Sequence, residues 1–505
     1  MIKIEVNSSR GRIIDCPDKV AKYLYKECSY QYEGYEFTDP YINGIWDGYV
    51  RKFSIKTHSF PSGLLYRIQR YLRRLNQNFE VEDKRKEFEW DEKSVLKAID
   101  NFKFALRPYQ IDGLVLGLKH PYMVYWQATG SGKTVQFSAL IAALKKDKFR
   151  NTLILVANKD LAAQHRVEVG DMIGSEIGLI QEGKFQPKDV TVAVINTLWN
   201  KAVRQKNKIV LKYLENVEYL IIDEVHRSID SKMFRQTINK CKNTIARHGF
   251  SGTPFSLTTD DLELEAVTGP PLFKVSVSKL IREGWSSRPH IDMIKYDFPY
   301  FSGRYSASVY KRGITENEIR NEIILDLIEY EFFKSNNVSV LVIVKIIKHG
   351  KILSDGLSRR GLDGDFKFIH GSSPDIERME TKKALKNKDL RIVIASQIWN
   401  EGIDIPSVDV LIKADAGGGK SVRNGKGVRS VIQQTGRVIR KPITWGNIDV
   451  NTEEENIVRI YDFFDDCHDD LRRWSVNRFQ TFQMEKEFIV RRINYDAWKR
   501  EKGIV

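Results

Sequence analysis

Short runs of apolar residues alternate with longer segments of helical periodicity over most of the chain. This alternation extends from about residue 95 to about residue 285 and returns after about residue 290. Strands that are apolar along their whole length bury both faces, as in parallel sheets that are covered by helices on each side. The pattern predicts an α/β fold with two parallel-sheet domains in tandem. The apolar runs are HPYMVYWQA, NTLILVAN, VTVAVIN, VEYLIIDE and IARHGFSGT in the first domain, and VSVLVIVK, DFKFIHG, LRIVIAS, VDVLIKA and IVRIYDF in the second.

The residues up to about 90 follow a different pattern, that of a small α/β unit. MIKIEV predicts a strand, DKVAKYLYKEC predicts a helix, and SGLLYRIQRYLRRLNQ predicts a second, amphipathic helix. In the amphipathic helix the leucines and Ile68 fall on one side, and four arginines fall largely on the other. Two interpretations of the arginine face stay open: a solvated surface over a core, or a surface that follows DNA phosphates. The four arginines are Arg67, Arg70, Arg73 and Arg74.

Three segments indicate where one domain ends and the next begins. The charged stretch 81–94 predicts a surface connection, and 283–313 predicts an irregular linker. Beyond this linker, Thr315 and Glu318 have capping-box spacing ahead of a long helix. We therefore expect three domains. Their expected ranges are 1–94 for the small N-terminal domain, 95–288 for the first parallel-sheet domain, and 289–505 for the second, which includes a C-terminal helical segment.

The charge of the chain indicates the kind of partner. Its 505 residues include 81 lysines and arginines against 66 acids, which gives a net charge of +15 and a pI of about 9.3. An excess of this size favours a polyanionic partner, with nucleic acid first and an anionic membrane surface second. The alternative is an excess that is spread evenly over the surface and only aids solubility.

The cysteines and the apolar segments narrow the class of protein further. The four cysteines are scattered without CxxC spacing, which indicates neither a zinc site nor a disulfide framework. Reduced thiols, and an N-terminus without an apolar leader, favour a cytoplasmic location. No apolar run is long enough to span a bilayer, so we expect no membrane association.

The strongest local signal is QATGSGKT, residues 127–134, which lies between an apolar strand and a helical run. A glycine-rich turn in this position exposes backbone N–H groups at the positive end of a helix and therefore binds phosphate. Lys133 is expected to reach the β- and γ-phosphates, and the Thr134 hydroxyl is expected to ligate Mg²⁺. Gln127 departs from the usual motif, which has glycine there. The loop residues expected to bind the nucleotide are Thr129, Gly130, Ser131, Gly132, Lys133 and Thr134.

Two adjacent carboxylates, Asp223 and Glu224, end a later apolar run of the same domain, in IIDEVH. Parallel strands end at the same edge of a sheet, so this pair is expected to lie beside the phosphate loop. An acid there holds Mg²⁺ through its water shell, and a second acid orients and deprotonates the attacking water. We assign Asp223 to the metal and Glu224 to the water. The alternative, two acids that cap the next helix, is disfavoured by the phosphate loop upstream.

In the second domain, GRVIR places Arg437 and Arg440 three residues apart. If this segment is helical, both arginines lie on one face. Such a pair acts as arginine fingers on the γ-phosphate when the opposite domain carries the phosphate loop. The alternative is an ordinary basic helix face. With arginine fingers, ATP binding closes the two domains, and hydrolysis lets them open and moves nucleic acid along.

The segments QATGSGKT, IIDEVH and GRVIR, with the further segments given below, follow one another along residues 100–442. In this order they resemble the motif set of superfamily-two helicases and translocases, in the DExH form. The resemblance implies two RecA-like domains, the first of which binds ATP with Mg²⁺. It also implies adenine recognition by Arg107 and Gln110 in LRPYQ, and coupling of hydrolysis to movement through GFSGTP. The further segments that carry it are ILVANKDLAAQ (154–164), VINTLW (194–199), VLVIVKIIKHG (340–350), IASQIWNEGIDIP (394–406) and QQTGRVIRK (433–441).

The same resemblance assigns roles to individual residues of these segments. Residues that bind the nucleotide from the second domain are Gly402, Asp404, Arg437 and Arg440. Residues that couple the nucleotide state to movement are His226, Ser251, Thr253 and Gln433, with His226 expected to face Ser251 and Thr253. Residues expected to contact nucleic acid are Asn158, Lys159, Asn196, Thr197, Lys345, His370, Gly371 and Ser396.

The N-terminal segment resembles the front domain of UvsW-like phage helicases through WDG (46–48) and PSGLL (61–65). This resemblance implies an N-terminal DNA-binding domain and activity on branched DNA: fork regression, Holliday-junction migration, and unwinding of R-loops or duplexes. Aromatic residues of this segment either stack on bases or form core, and core is favoured because aromatics bury large areas in small domains. The aromatics are Tyr32, Tyr35, Phe37, Tyr41 and Trp46.

The sequence therefore predicts an ATP-dependent DNA helicase that remodels branched DNA, with roles in replication, recombination and repair. Its expected partner is branched or forked DNA or an RNA–DNA hybrid. We expect a monomer in the cytoplasm of a bacterial or phage-infected cell. Two alternatives stay open: an RNA helicase, and a motor or scaffold subunit of a DNA-processing complex. The acidic run 462–470 is interpreted as a strand end and turn rather than a metal site.

Overall fold

The structure, a computed structural model, separates into two compact units. The first comprises Met1–Gln127 and Gly132–Val275, and the second comprises Ala128–Ser131 and Ser276–Val505. The domain boundaries expected at 94 and 288 stay predictions. The structure describes residues 1–32, 34–85, 91, 93, 99, 102–145, 151–228, 232–252, 261–303, 306–396, 408–417, 435–436 and 457–504.

A four-stranded sheet and its helices form the N-terminal part of the first unit. The strand order is β5-β2-β1-β6, and β1 pairs antiparallel with β2 and parallel with β6. Leu64, Ile68 and Leu72 of the predicted amphipathic helix are fully buried, as its periodicity indicates. The strands are β1 Ile2–Val6, β2 Arg10–Ile14, β5 Ser59–Pro61 and β6 Phe79–Asp83, and the helices are α1 Asp18–Glu27 and α3 Leu65–Arg74.

A separate two-stranded hairpin belongs to this N-terminal part, and the five aromatic residues expected to form core there are not buried. The strands β3 (Ser29–Gln31) and β4 (Tyr49–Arg51) pair with each other, with α2 (Asp39–Ile42) between them. The prediction of buried aromatics is wrong here: Phe37 is 85% exposed and Tyr32 is 45% exposed. The segment pairs within itself as a separate two-stranded sheet and is not part of the four-stranded sheet, although it lies between β2 and β5 in the chain. Its rings instead pack on one another, as in the edge-to-face pair of Tyr35 and Tyr41.

An eight-stranded sheet forms the rest of the first unit, in the order β10-β9-β11-β8-β12-β13-β7-β14. Its pairings are parallel except for the antiparallel pair of β9 and β10. The five apolar runs predicted for this domain are all strands. The strands are β7 Tyr122–Gln127, β8 Thr152–Val156, β9 Gly178–Gln181, β10 Lys184–Gln186, β11 Val190–Val194, β12 Tyr219–Asp223, β13 Ala246–Ser251 and β14 Pro271–Val275.

Helices cover both faces of this sheet, which explains its fully apolar strands. Side chains alternate between faces along a strand. In β8, Ile154 belongs to one hydrophobic cluster and Leu153 and Leu155 belong to the cluster on the other face. The helices are α4 Pro108–Lys119, α5 Lys133–Lys145, α6 Lys159–Ile173, α7 Ile195–Trp199, α8 Lys208–Glu215, α9 Lys232–Ile238 and α10 Asp261–Val267.

A seven-stranded, parallel sheet forms the second unit, in the order β17-β18-β16-β19-β20-β15-β21. The strands are β15 Arg288–Lys295, β16 Val340–Val344, β17 Phe366–Ile369, β18 Ile392–Ser396, β19 Val410–Lys413, β20 Ile457–Phe464 and β21 Ile489–Asn494. The helices are α11 Val277–Arg282, α12 Ser306–Tyr310, α13 Glu318–Lys334, α14 Ile347–Arg359, α15 Asp375–Asn387, α16 Asp469–Gln483 and α17 Tyr495–Lys502. Two RecA-like domains in tandem, preceded by a small α/β part, are thereby confirmed.

Two expectations for the second unit are wrong. The predicted irregular linker contains β15, an inner strand between β20 and β21. Its residues alternate in burial, and Pro289 and Asp292 interrupt the apolar run that marks the other strands. The cap of α13 is Asn317, whose side chain accepts a hydrogen bond from the Arg320 N–H at 3.0 Å, and not Thr315.

The cysteines and the helices bear on two further expectations. Cys16, Cys28, Cys241 and Cys467 are buried free thiols. Burial raises the pKa of Cys28 and that of Cys241 to about 12. Among the helices that the structure describes, none has both the length and the apolar character needed to cross a membrane.

Candidate functional site

The parallel register of the eight-stranded sheet brings the chemically important loops of the first unit to one edge. The neighbours β7, β13, β12, β8 and β11 all end at this edge. The glycine-rich loop follows β7, Ser251 ends β13, and Asp223 ends β12. Asn158 and Asn196 follow β8 and β11. Residues that are far apart in sequence therefore lie along a single line of loops.

The glycine-rich loop has a backbone that requires glycine at two positions. Gly130 has φ +87° and Gly132 has φ +76°, in the left-handed region that other residues rarely adopt. A Cβ atom at Gly132 would lie 2.6 Å from Gln110 Nε2, so a side chain there would displace the Gln110 amide. Lys133 begins α5 directly after this turn. The turn leads into a helix N-terminus, which is the geometry of an anion-binding loop.

Gln127, the departure from the usual motif, is the last residue of β7 and is fully buried. Its Nε2 donates to Gln136 Oε1 of α5 at 3.4 Å. Its backbone lies in a regular strand that pairs with β14, so glycine is not required there. The glutamine links the strand before the loop to the helix after it.

Lys133 and Glu224 meet at the centre of this edge. Lys133 Nζ donates to Glu224 Oε1 at 3.2 Å, and both side chains are largely buried. Glu224 has φ +48°, an unusual conformation for a residue with a side chain. Such backbone strain is found where a side chain must be held in one place. The structure thus brings together the lysine of the loop and the second acid of IIDEVH.

Asp223 is almost completely buried, and both of its carboxylate oxygens accept hydrogen bonds. Oδ1 accepts from the Glu224 N–H at 2.9 Å, and Oδ2 lies 2.8 Å from His165 Nε2. Burial by itself would raise the pKa of Asp223, but the His165 hydrogen bond and the nearby Lys133 charge outweigh it and hold the pKa below its usual value. Asp223 is therefore an ionised carboxylate inside the protein.

His165 belongs to none of the motifs found in the sequence. It follows directly after the segment 154–164 and lies on α6. One signal was present: His165 is spaced four residues from Leu161 and from Val169, both of which are buried. A polar residue in the middle of a buried apolar stripe needs a hydrogen-bonding partner.

His226 contacts both Glu224 and Ser251. Its Nδ1 lies 2.8 Å from Ser251 Oγ at the end of β13 and 3.4 Å from Glu224 Oε2. The expected proximity of His226 to Ser251 is present. A continuous set of contacts therefore runs from Lys133 through Glu224 and His226 to Ser251.

Gln110 connects the start of α4 to the glycine-rich loop. Its Oε1 accepts from the Arg107 N–H at 2.9 Å, and its Nε2 lies 3.4 Å from Gly132 O. Arg107 Nη1 donates to Tyr109 Oη at 2.8 Å. Of the two residues assigned to adenine recognition, Gln110 thus lies against the loop, and Arg107 is joined to Gln110.

The residues expected to contact nucleic acid follow strand ends in both units. In the first unit, the Asn158 side chain caps α6 by accepting from the Leu161 N–H at 2.9 Å, and Lys159 is exposed. Asn196 and Thr197 belong to the short helix α7. In the second unit, Lys345, His370, Gly371 and Ser396 lie at or just after the carboxyl ends of β16, β17 and β18.

Six expected site residues lie outside the described residues. They are Thr253, Gly402, Asp404, Gln433, Arg437 and Arg440.

The donor set at Asp223 and Thr134 suits a magnesium ion. An ionised carboxylate and a hydroxyl are hard oxygen ligands, and Mg²⁺ is commonly bound by one or two carboxylates together with substrate phosphates. Across the described ranges, no group of three or more histidine, cysteine or acidic side chains has the arrangement of a metal site. The described residues thus fit an ion that arrives with a phosphate ligand better than an ion in an all-protein cage.

Two family models match the chain. Residues 89–256 match the model described as "Type III restriction enzyme, res subunit", and residues 319–442 match "Helicase conserved C-terminal domain". Together the two matches cover more than half of the chain. The first contains the glycine-rich loop and IIDEVH, and the second contains most strands of the second sheet.

Curated relatives and solved structures agree with these matches. The ATP-dependent DNA helicase uvsW of Enterobacteria phage T4 is 23% identical over 98% of this chain and 99% of its own length. The Rad25 protein of Haloarcula marismortui is 25% identical over 67% of this chain and 51% of its own length. The chain spans about half of the length of several curated relatives.

Among solved structures, Saccharomyces cerevisiae Dbp5 bound to RNA and ADP BeF3 has a TM-score of 0.54 at 18% identity, and the match covers 81% of this chain and 96% of that one. This likeness concerns the fold of the two sheets. With the two family matches and the strand-end loops described above, the chain belongs to the superfamily-two ATP-dependent helicases.

Proposed function

We propose that the protein is an ATP-driven DNA helicase or translocase that remodels branched DNA. The observation that carries this proposal is the line of contacts from Lys133 through Glu224 and His226 to Ser251. It joins the phosphate loop to a strand end on the same sheet edge as the loops expected to contact nucleic acid. The same edge of the sheet can therefore respond to the bound nucleotide and contact a nucleic-acid strand.

In the proposed ATP site, backbone N–H groups of residues 129–132 bind phosphate oxygens, and Lys133 supplies a positive charge to them. Gln110, which lies against Gly132, recognises the adenine together with Arg107. Glu224 accepts a proton from the attacking water. This role requires a carboxylate that the water can reach. Its present partner, Lys133, is released to the phosphates when ATP binds.

Asp223 and Thr134 are the residues that would hold Mg²⁺. When bound, the ion neutralises developing charge on the phosphates. Asp223 is suited to this role because its carboxylate is ionised although it is buried. Thr134 lies in the first turn of α5, beside Lys133.

The second domain is proposed to complete the ATP site through residues taken from the motif resemblance. Arg437 and Arg440 would stabilise charge on the γ-phosphate, and Gly402 and Asp404 would contact the nucleotide. Thr253 and Gln433 would join His226 and Ser251 in coupling hydrolysis to movement.

DNA as the substrate is supported by the net charge of +15 and by the relative from phage T4, which is named as a DNA helicase. The residues proposed to contact DNA are Asn158, Lys159, Asn196, Thr197, Lys345, His370, Gly371 and Ser396. The Asn158 side chain caps α6, so the proposed contact of this residue with DNA would come from the backbone beside it.

The preference for branched DNA is supported by the exposed aromatic hairpin of the N-terminal part, residues 29–51. Phe37 and Ile45 are 85% and 79% exposed to solvent, in a segment whose rings include the packed pair of Tyr32 and Trp46. A branch point leaves a base pair without a stacking neighbour, and aromatic side chains stack on such bases. The hairpin is therefore the proposed contact for the junction.

A substrate panel tests the proposal. Forked DNA, a four-way junction, an R-loop, linear duplex DNA and structured RNA are incubated with ATP, and the products are separated on gels. We expect branched DNA to be converted fastest and Lys133→Ala to convert none. Equal rates on linear and branched DNA would refute the branch preference, and faster conversion of RNA would refute the DNA assignment.

The aromatic hairpin is tested separately with Phe37→Ala. This variant should keep ATPase stimulation by linear DNA and lose at least half of its rate on forks, because only the junction contact is removed. Phe333→Ala is the matched control, since Phe333 is also an exposed phenylalanine but lies on α13 in the second unit. An equal effect of both substitutions would contradict the role of the hairpin.

A further inference from the structure

His165 and Asp223 form a buried hydrogen-bonded pair between α6 and the end of β12. The distance from His165 Nε2 to Asp223 Oδ2 is 2.8 Å, and the side chains are 4% and 7% exposed. The two residues are 58 positions apart in the sequence. The other oxygen of Asp223, Oδ1, accepts from the Glu224 N–H, so Asp223 is an acceptor here and His165 Nε2 is assigned as the donor.

The ring of His165 also packs edge-to-face against the ring of Phe137. The two ring centroids are 5.3 Å apart, and the ring planes are nearly perpendicular at 89°. Phe137 is fully buried and lies one turn after Lys133 on α5, the helix that follows the glycine-rich loop. Packing from α5 thus limits the rotation of the imidazole.

The second carboxylate oxygen is held as well, by the Glu224 backbone. Asp223 Oδ1 accepts from the Glu224 N–H at 2.9 Å, so each oxygen has one protein donor. A carboxylate oxygen has a second lone pair, which stays available for a further ligand. His165 Nδ1 has no hydrogen-bonding partner among the residues described, so no other polar contact competes for the ring orientation.

We propose that His165 is a positioning residue that fixes the orientation of the Asp223 carboxylate toward the magnesium-bound nucleotide. This inference rests on the proposed role of Asp223 as a magnesium ligand. Partners of this kind orient carboxylate and histidine ligands in metal sites, and their loss typically weakens metal binding 10–100-fold. The histidine therefore acts through Asp223 and does not itself contact the nucleotide.

Substitutions at residue 165 separate the hydrogen bond from packing. Glutamine has an amide nitrogen at the end of a side chain long enough to replace Nε2, so His165→Gln should keep the donor. Asparagine is one carbon shorter and leaves its amide out of reach of Asp223. Leucine fills the space against Phe137 without any donor. A purely structural role would favour leucine over asparagine, whereas a positioning role favours glutamine over both.

The experiment is a titration of each full-length variant with Mn²⁺ in the presence of ADP, followed by electron paramagnetic resonance. We expect His165→Leu and His165→Asn to raise the dissociation constant for Mn²⁺ about 10-fold or more, and His165→Gln to stay within about threefold of wild type. The Mg²⁺ concentration at half-maximal ATPase rate should rise in parallel, with little change in kcat at saturating Mg²⁺.

Two outcomes overturn the inference: wild-type Mn²⁺ affinity in a folded His165→Leu or His165→Asn variant, or equal losses in all three variants. If His165→Leu does not fold, the comparison of His165→Gln with His165→Asn decides. The proposed role of Asp223 is judged by a different result, since it fails if Asp223→Ala binds Mn²⁺ and ADP as wild type does. The two failures are therefore distinguishable.

Discussion

At the scale of single residues, the site depends on two adjacent acids in different surroundings. Asp223 is buried and accepts hydrogen bonds from His165 and from the Glu224 backbone. Glu224 is more open and faces Lys133 and His226. Acids that sit side by side take different roles when their environments differ. The proposed roles, Asp223 as the metal ligand and Glu224 as the base, follow this difference.

Glu224→Gln is expected to leave ATP binding intact and to reduce turnover by about 10²–10⁴-fold, because an amide accepts no proton from water. Binding is measured with a fluorescent ATP analogue, and turnover by release of phosphate. Glu218→Gln is the matched control, since Glu218 precedes β12 at the opposite end of the strand. Turnover at the wild-type rate in Glu224→Gln would remove the role of this residue.

Buried histidine makes the first unit sensitive to acid. Burial lowers the pKa of His248 from 6.5 to about 4, and the ring contacts Tyr219 Oη and His120 O. Between about pH 6.5 and pH 4, His248 is protonated in the unfolded chain and neutral in the folded chain. The free energy of unfolding therefore falls as the pH falls below about 6.5. The loss is about 2 kcal/mol between pH 7 and pH 5.

This loss is measured by urea unfolding at pH 7, 6 and 5. His248→Gln keeps hydrogen-bonding capacity without a titrating group, so its stability should vary less over this window. An equal pH dependence in this variant and in wild type would show that other groups cause the effect.

At the scale of elements, helix α10 anchors the N-terminal part within the first unit. Arg67 of α3 donates to both oxygens of Glu265 at 2.6 and 2.7 Å. Glu263, only 1% exposed, pairs with Lys52 at 2.5 Å and accepts from Tyr30 Oη at 2.7 Å. Arg67 is therefore an interface residue and not a member of a DNA-tracking face, while Arg70, Arg73 and Arg74 are exposed.

Arg67→Ala should lower the free energy of unfolding of the first unit by about 3 kcal/mol, because it leaves Glu265 largely buried without its partner. Arg74→Ala, an exposed arginine of the same helix, should change it by less than about 0.5 kcal/mol. Urea unfolding measures both. Exchanging the two charges, with Arg67→Glu and Glu265→Arg together, should recover part of the loss. No recovery would show that packing and not the ion pair dominates.

At the scale of the whole molecule, the excess of basic residues determines how DNA binds. Lysine and arginine displace condensed counterions from phosphates, so the logarithm of the binding constant falls by about 0.9 per phosphate contact for each unit in the logarithm of salt concentration. Fluorescence anisotropy from 50 to 300 mM NaCl, on a short forked duplex, should give a steep slope. A flat response would contradict phosphate binding.

Local patterns were sufficient for much of this molecule. Fully apolar runs identified ten strands of the two large sheets, because burial on both faces leaves a continuous signal in the sequence. The strand β15 was missed since buried residues alternate along it with partly buried polar residues, which breaks the apolar run. The phosphate loop and the acid pair were also found, because each is a short motif between a strand and a helix.

The sequence by itself determined the two parallel sheets, the glycine-rich loop and the acids at the end of β12. Each depends on neighbouring residues or on a regular spacing. Only the tertiary structure decided that His165 lies against Asp223, that Arg67 binds Glu265, and that the hairpin aromatics are exposed. These facts depend on which surfaces meet after folding, and the partners lie 58 and 198 residues apart. Contacts at such separations leave no periodic trace in a single chain.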